Sequence, residues 1–237
     1  MKSLEDLKIF HKYLKQYYYL YVIILLGDVM NILRSFLYKT NKKIITIDRE
    51  HGTNAEKIAK ELSDKLRIQI YDEPTIDLLT IKNKIDPSDI DKDSSFLQGT
   101  IYDLYRENRS YNEENIARSD GEFLASSKTI RDIAKKEGGI FLGKCANYVL
   151  KESKPFRIFL TANKEDKIKN LVEQFGYSED KALTEIEKTE LRYKNYYNRN
   201  TLSNFANPKD YDIIINSSSF DINSIVEIVV RVMGKKK

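Results

Sequence analysis

The chain has 237 residues, of which 41% are apolar and 32% charged, a composition that fits a globular fold of one or two domains and excludes disordered and collagen-like classes. A single cysteine, Cys145, excludes an internal disulfide framework and a cysteine-rich zinc site, and the two distant histidines, His11 and His51, argue against histidine-based metal chemistry. The net charge of +4 belongs to residues 1–43, where eight Lys or Arg face three acidic residues, so the body is nearly neutral and lacks the electrostatic footprint of a nucleic-acid binder.

Residues 17–38 come first in chain order and are strongly apolar, with the run YYYLYVIILLG. A spanning helix needs about 20 apolar residues. Asp28, Asn31 and Arg34 interrupt this stretch, and Asp or Arg near a bilayer centre costs about 2.5–3.5 kcal/mol each. No small-x-small cleavage site follows. A membrane anchor, a helix packed on the body, an interfacial helix with a basic flank and a translation start at Met30 all stay open, with membrane contact through residues 17–38 the disfavoured member of the set. Residues 1–40 are thus set apart as an apolar and basic extension.

From residue 41 the pattern is α/β. Residues 44–48, IITID, suit a buried strand, REHGTN reads as a turn, and residues 55–66 place Ile58, Ala59, Leu62 and Leu66 at helical spacing. Residues 68–71 form a shorter strand candidate. Residues 72–120 are polar and irregular, with Pro74 and Pro87, and read as a helical insertion. A helix over 122–137 stops at Gly138 and Gly139. Strands follow at 139–143 and 156–161, then a helix capped by Asn163 and ended by Gly176. A second helix opens at Ser178 and runs to about residue 197. A last strand at 211–216 and a last helix at 221–233 close the chain. Strands alternating with helices predict one parallel sheet covered on both faces, over residues 41–237.

Ligands of such folds bind beyond the carboxyl ends of the strands. The first strand–turn–helix is where a glycine-rich loop cradles phosphates. The loop here, Asp48-Arg49-Glu50-His51-Gly52-Thr53-Asn54-Ala55-Glu56-Lys57, fails the full phosphate-loop signature, because Glu56 precedes Lys57 and Ile58 follows it.

ITIDREHGTNAEKIAKELSDKLRIQIYDE nevertheless resembles the opening of the cytidylate kinase-like family, a branch of the P-loop nucleoside monophosphate kinases. Arg49, Glu50, Gly52, Ile58, Ala59, Tyr71 and Asp72 fall on that pattern. GIFLGKCANYVLKE, the helix ending in RYKNYYNR, and NPKDYDIIINSS resemble further family blocks in the right order, from residue 43 to about 230. The resemblance implies a P-loop NTPase-like parallel sheet with helices on both faces, an acceptor-binding insertion at 72–120 and a lid helix. It implies ATP-dependent phosphoryl transfer to a nucleoside monophosphate, CMP or dCMP, with Mg²⁺, in a cytoplasmic protein whose partners are small-molecule nucleotides. Transferred by position, Arg49, Gly52, Thr53, Asn54 and Ala55 form the ATP-binding loop, with Thr53 also the Mg²⁺ ligand. Asp72, Lys144 and Asn147 meet the acceptor, Lys57 and Arg192 carry catalysis, and Arg199 belongs to the lid.

The departures from the family fall on functional positions. Asn54 and Ala55 replace loop glycines, although Asn tolerates positive φ best among other residues. Glu56 and Lys57 exchange the usual order of charges, which turns the cation about 100° around the helix. Thr189 and Glu190 stand where arginines are usual, Phe205-Ala206-Asn207 replace a tryptophan-glycine-aspartate, and Lys144 exchanges a bidentate fork for a point charge. These changes favour an alternative function, in which the fold persists without turnover as a nucleotide-sensing or protein-interaction module. Thr53 has a second role open to it as a helix cap, and Asp72 as an ordinary turn acid.

Overall fold

A computed structural model describes residues 42–83 and 118–235. The expectations for residues 1–40, and for the part of the insertion between 84 and 117, lie outside the described residues.

Strand β1 (Ile44–Arg49) leads through the loop to helix α1 (Ala55–Leu66), then β2 (Ile70–Tyr71) and α2 (Glu73–Lys82). After α3 (Arg118–Lys136) come β3 (Gly139–Leu142), the one-turn α4 (Ala146–Val149), β4 (Phe156–Thr161), α5 (Lys164–Phe175) and the long α6 (Glu179–Asn200). β5 (Ile213–Asn216) and α7 (Ile222–Met233) complete the order. The five strands are all parallel, in the order β2-β3-β1-β4-β5. Ile45 of the central β1 lies opposite Ile140 on one side and Phe156 on the other.

Period-two alternation divides the core. Ile45, Ile47, Ile140, Leu142, Ile158 and Leu160 face one layer, where Ile58 and Leu62 of α1 and Ile225 and Val229 of α7 cover them. Phe141 faces the other way, into a cluster with Ile76 of α2, Phe123 and Ile130 of α3 and Tyr197 of α6. Each such side chain contributes about 1.5–3 kcal/mol on burial. A smaller cluster of Leu171, Ala182 and Ile186 joins α5 to α6. On β1 the alternation leaves Thr46 and Asp48 on the α6 side of the sheet, and both are buried.

α2 starts directly after β2, inside the stretch expected to be irregular. Asp72 is its N-cap, accepting from the Thr75 amide at 3.0 Å, and Pro74 occupies the first turn. Its apolar residues do not form one stripe, since Ile76 is buried while Leu78 and Ile81 are exposed, so periodicity could not reveal it. Among the described residues no helix is long and apolar enough to cross a membrane.

Candidate functional site

A cavity of about 220 Å³ opens outside the carboxyl ends of β1 and β3. Its floor is Asp48, Arg49 and the turn Gly143-Lys144-Cys145, with Glu73 of α2 at one side. Helix α6 walls it with Arg192, Tyr193, Tyr196 and Tyr197, and Phe205 closes the far end. The turn after β3 is bent by three consecutive positive φ values, 82°, 56° and 54° at Gly143, Lys144 and Cys145. Gly143 holds φ at 82°, which strains any other residue, and a Cβ there would lie 2.6 Å from the Arg49 guanidinium and 2.7 Å from the Glu73 carboxylate, so a side chain would displace both.

The loop after β1 is held from several sides. Asn54 adopts the left-handed conformation (φ 57°) as N-cap of α1, and no side chain caps the helix. Its Oδ1 is buried without a hydrogen-bond partner. Thr53 does not cap α1; it is buried and its hydroxyl donates to the Glu50 carbonyl at 3.0 Å. Gly52 packs against α5, with its carbonyl accepting from Asn170 Nδ2 at 2.7 Å. Glu50 turns to the same helix and accepts from Lys167 Nζ at 3.0 Å and Thr161 Oγ1 at 2.9 Å.

Three cations at and near the site, Arg49, Lys144 and Lys167, are engaged by carboxylates of this chain. Arg49 donates to Glu73 at 3.1 Å, lies 3.7 Å from Glu56, and stacks on Tyr193 at 4.9 Å. Glu56 thus sits on the Arg49 side of α1, while Lys57 is exposed and does not line the cavity. Lys144 pairs with Asp77 at 2.8 Å. Lys167 bridges Glu50 and Glu190, the latter at 2.7 Å, where the lid arginines were expected. Burial alone would lower the Lys167 ammonium, but its hydrogen bonds to Glu190 and Glu50 outweigh that and raise it.

Asp48 is the buried acid of the site. Burial pushes its carboxyl up to about 7, against the opposing pull of Arg49 and of a hydrogen bond from the Tyr211 hydroxyl at 3.3 Å. Tyr211 also hydrogen-bonds Tyr197, whose hydroxyl accepts from Asn147 Nδ2 at 2.9 Å. Burial raises the phenols of both tyrosines, so they remain neutral donors throughout ordinary pH.

Of the residues expected from sequence, the structure brings Arg49, Lys144 and Arg192 together at the cavity. Asn147 reaches it through Tyr197. Arg199 lines a separate, more open cavity of about 460 Å³ along α6, with Lys188, Leu191 and Arg192. Asp72 is occupied in capping α2. Sequence reasoning missed Asp48, Glu73 and Lys167. A carboxylate ending an otherwise apolar strand was the available signal for Asp48. For Lys167 it was a lysine four residues before buried Leu171, on the stripe facing the core.

The uncapped start of α1 fits a phosphate-bearing ligand, which would meet first-turn amides, whereas the orphaned Asn54 Oδ1 beside it is an acceptor and offers an anion nothing. Thr53, expected at Mg²⁺, is buried, its hydroxyl donates to a backbone carbonyl, and it does not line the cavity. No group of three His, Cys, Asp or Glu able to hold a metal occurs among the described residues.

Sheet order and cavity place the chain among parallel α/β proteins that bind ligands at the carboxyl ends of their strands. The model of the cytidylate kinase-like family matches residues 44–219, and the chain belongs to that family. A search of curated proteins finds no match. Among solved structures, an uncharacterized protein from Eubacterium ventriosum ATCC 27560 is similar at 20% identity and a TM-score of 0.64, over 83% of this chain and 100% of that one. A gluconokinase from Sinorhizobium meliloti 1021 is similar at 10% identity and 0.47, over 83% and 94%. A shikimate kinase from Bacteroides thetaiotaomicron is similar at 12% identity and 0.46, over 81% and 98%.

Proposed function

We propose that the chain is a kinase-like phosphotransferase that passes the terminal phosphoryl of ATP to a nucleoside monophosphate, with CMP or dCMP as acceptor. The observation that carries this reading is the convergence of Arg49, Lys144 and Arg192 on one cavity beneath α6. Phosphoryl transfer needs positioning and neutralisation of spread negative charge more than covalent help from the protein. ATP, when bound, supplies the phosphoryl group. The first amides of α1 would hold a donor phosphate, and Lys144 and Arg192 would screen charge at the cavity. Tyr193, Tyr196 and Tyr197 would exclude water there. Family membership supports the reaction class, and the acceptor rests on the resemblance alone.

A second reading is favoured by the ion pairs. Arg49, Lys144 and Lys167 are each bound to carboxylates, so their charge is already neutralised before any phosphoryl group arrives. In this reading the protein binds nucleotide without turnover.

A coupled assay of ADP formation from ATP and CMP, on the full chain, separates the two. The kinase reading expects CMP-dependent ADP formation, raised tenfold or more in the triple variant Asn54→Gly, Ala55→Gly, Lys144→Arg, about 1.4 kcal/mol in the barrier. Nucleotide binding without ADP formation in either protein leaves the second reading standing and removes the first.

A further inference from the structure

The carboxyl of Asp48 borders the cavity from the end of β1, yet it is only 5% exposed. Among the described residues its side chain has one hydrogen-bond partner, the Tyr211 hydroxyl at 3.3 Å. It has no ion-pair partner there either. The neighbouring cations are turned elsewhere, Arg49 to Glu73 and Glu56 and Lys144 to Asp77. The groups that face it come from five directions: Arg49 beside it on β1, Glu73 on α2, Lys144 and Cys145 in the turn after β3, Tyr197 on α6, and Asp210 and Tyr211 before β5. Two of these are further carboxylates. A buried acid with this company holds a proton more readily than a solvated one.

That proton has chemical meaning in a phosphate site. An ionised carboxylate repels a phosphate dianion placed in the same cavity. A neutral carboxyl can instead donate its O–H to a phosphoryl oxygen, a charge-assisted bond of the stronger kind.

We propose that Asp48 is a ligand contact of this cavity, carrying a proton that it donates to a phosphoryl oxygen of the bound nucleotide, so that nucleotide and proton bind together. The proposal rests on the reading of the cavity as a nucleotide-phosphate site. No bond to phosphorus is involved; above the apparent pKa of the empty site, binding takes up one proton from solvent, which stays on Asp48.

The sign follows from linkage. With the carboxyl at about 7 in the empty site, a dianion beside it raises that value further. Below 7 both states are protonated and affinity gains nothing from Asp48 titration. Above it, affinity falls as pH rises, by up to about tenfold per pH unit. A phosphate monoester has its second pKa near 6 and is almost fully ionised by pH 7.5, so a slope between pH 7.5 and 8.5 belongs to the protein.

The test is calorimetric titration of CMP, of ATP and of cytidine into the full chain at pH 7.5, 8.0 and 8.5, for wild type, Asp48→Asn and Tyr211→Phe. Wild type is expected to lose threefold to tenfold in affinity across the window for CMP, for ATP or for both, which identifies whose phosphate meets Asp48. Cytidine, without a phosphate, is expected to show no slope. Asp48→Asn keeps an acceptor for Tyr211 and is expected to bind with flat affinity, at least as tightly as wild type at pH 8.5. Tyr211→Phe removes the donor that favours the ionised form, and is expected to move the fall in affinity to higher pH. A purely structural Asp48 would leave wild type and Asp48→Asn with the same pH profile. Phosphate-ligand affinity in wild type that is flat over this window overturns the proposal and leaves the kinase-like reading intact. Absence of CMP and ATP binding at every pH overturns both.

Discussion

Gly52 holds φ at 89°, and a Cβ there would stand 2.8 Å from both Leu171 Cδ1 and the Lys167 carbonyl oxygen. Backbone strain and overpacking act together at this point, so Gly52→Ala is expected to cost about 2–4 kcal/mol, measurable as a lower urea midpoint with an unchanged slope. The glycine of the loop therefore has a packing role against α5 as well as its place in the family pattern. Asn54 shows what residue-level reasoning could see in advance: a loop position wanting positive φ and filled by the residue that best tolerates it, as the observed 57° bears out. The exchange of Glu56 and Lys57 was equally legible, because one residue along a helix is a rotation of about 100°, and of the two it is Glu56 that reaches Arg49. The partners of Asp48 and Lys167 were not legible. They lie up to 163 positions away in sequence, as Tyr211 does from Asp48, and no local pattern encodes such a pairing.

At the scale of elements, Lys167 ties three pieces together: the loop through Glu50, its own α5, and α6 through Glu190. Replacing it with Met keeps the stem's apolar packing but leaves two partly buried carboxylates facing each other. Lys167→Met is therefore expected to destabilise by about 2–3 kcal/mol, and Lys167→Met combined with Glu190→Gln by less than the sum of the two single changes; chemical denaturation of the four proteins checks both. Elements themselves were well marked in the sequence. α1, β4 and α5 fall where apolar spacing put them, and Ser178 and Asp221 cap α6 and α7 with their side chains. Asn163 stands at the expected N-cap of α5 but bonds Asn216 instead of the helix. β2 and β5 are two residues shorter than expected at their starts, because the flanking apolar residues Ile68 and Tyr211 are buried outside the ladder. α2 lies within the stretch expected as a helical insertion, but its bounds were not marked, because Asp72 in sequence fits an acceptor contact or a turn acid and the apolar residues of α2 form no stripe.

For the molecule as a whole, the sheet order brings the loop after β1 and the turn after β3 side by side, and α6 lies across both. Parallel strands with one central β1 make that meeting unavoidable once the order is set. The sequence therefore carried the place of the site through its strand–helix alternation, while its electrostatics depended on carboxylates from the loop after β1, α1, α2 and α6 arriving near the same end. On the proposed reading the cavity handles phosphate, and the ion pairs decide how readily its cations can be recruited. The most direct test is titration of CMP into the full chain and into a Lys144→Gln, Arg192→Gln variant at pH 7. Charged hydrogen bonds contribute about 1.5–3 kcal/mol each, so the double variant is expected to bind at least tenfold more weakly. Unchanged affinity in a folded variant would contradict the account, because the nucleotide would then bind without the cations that define the cavity.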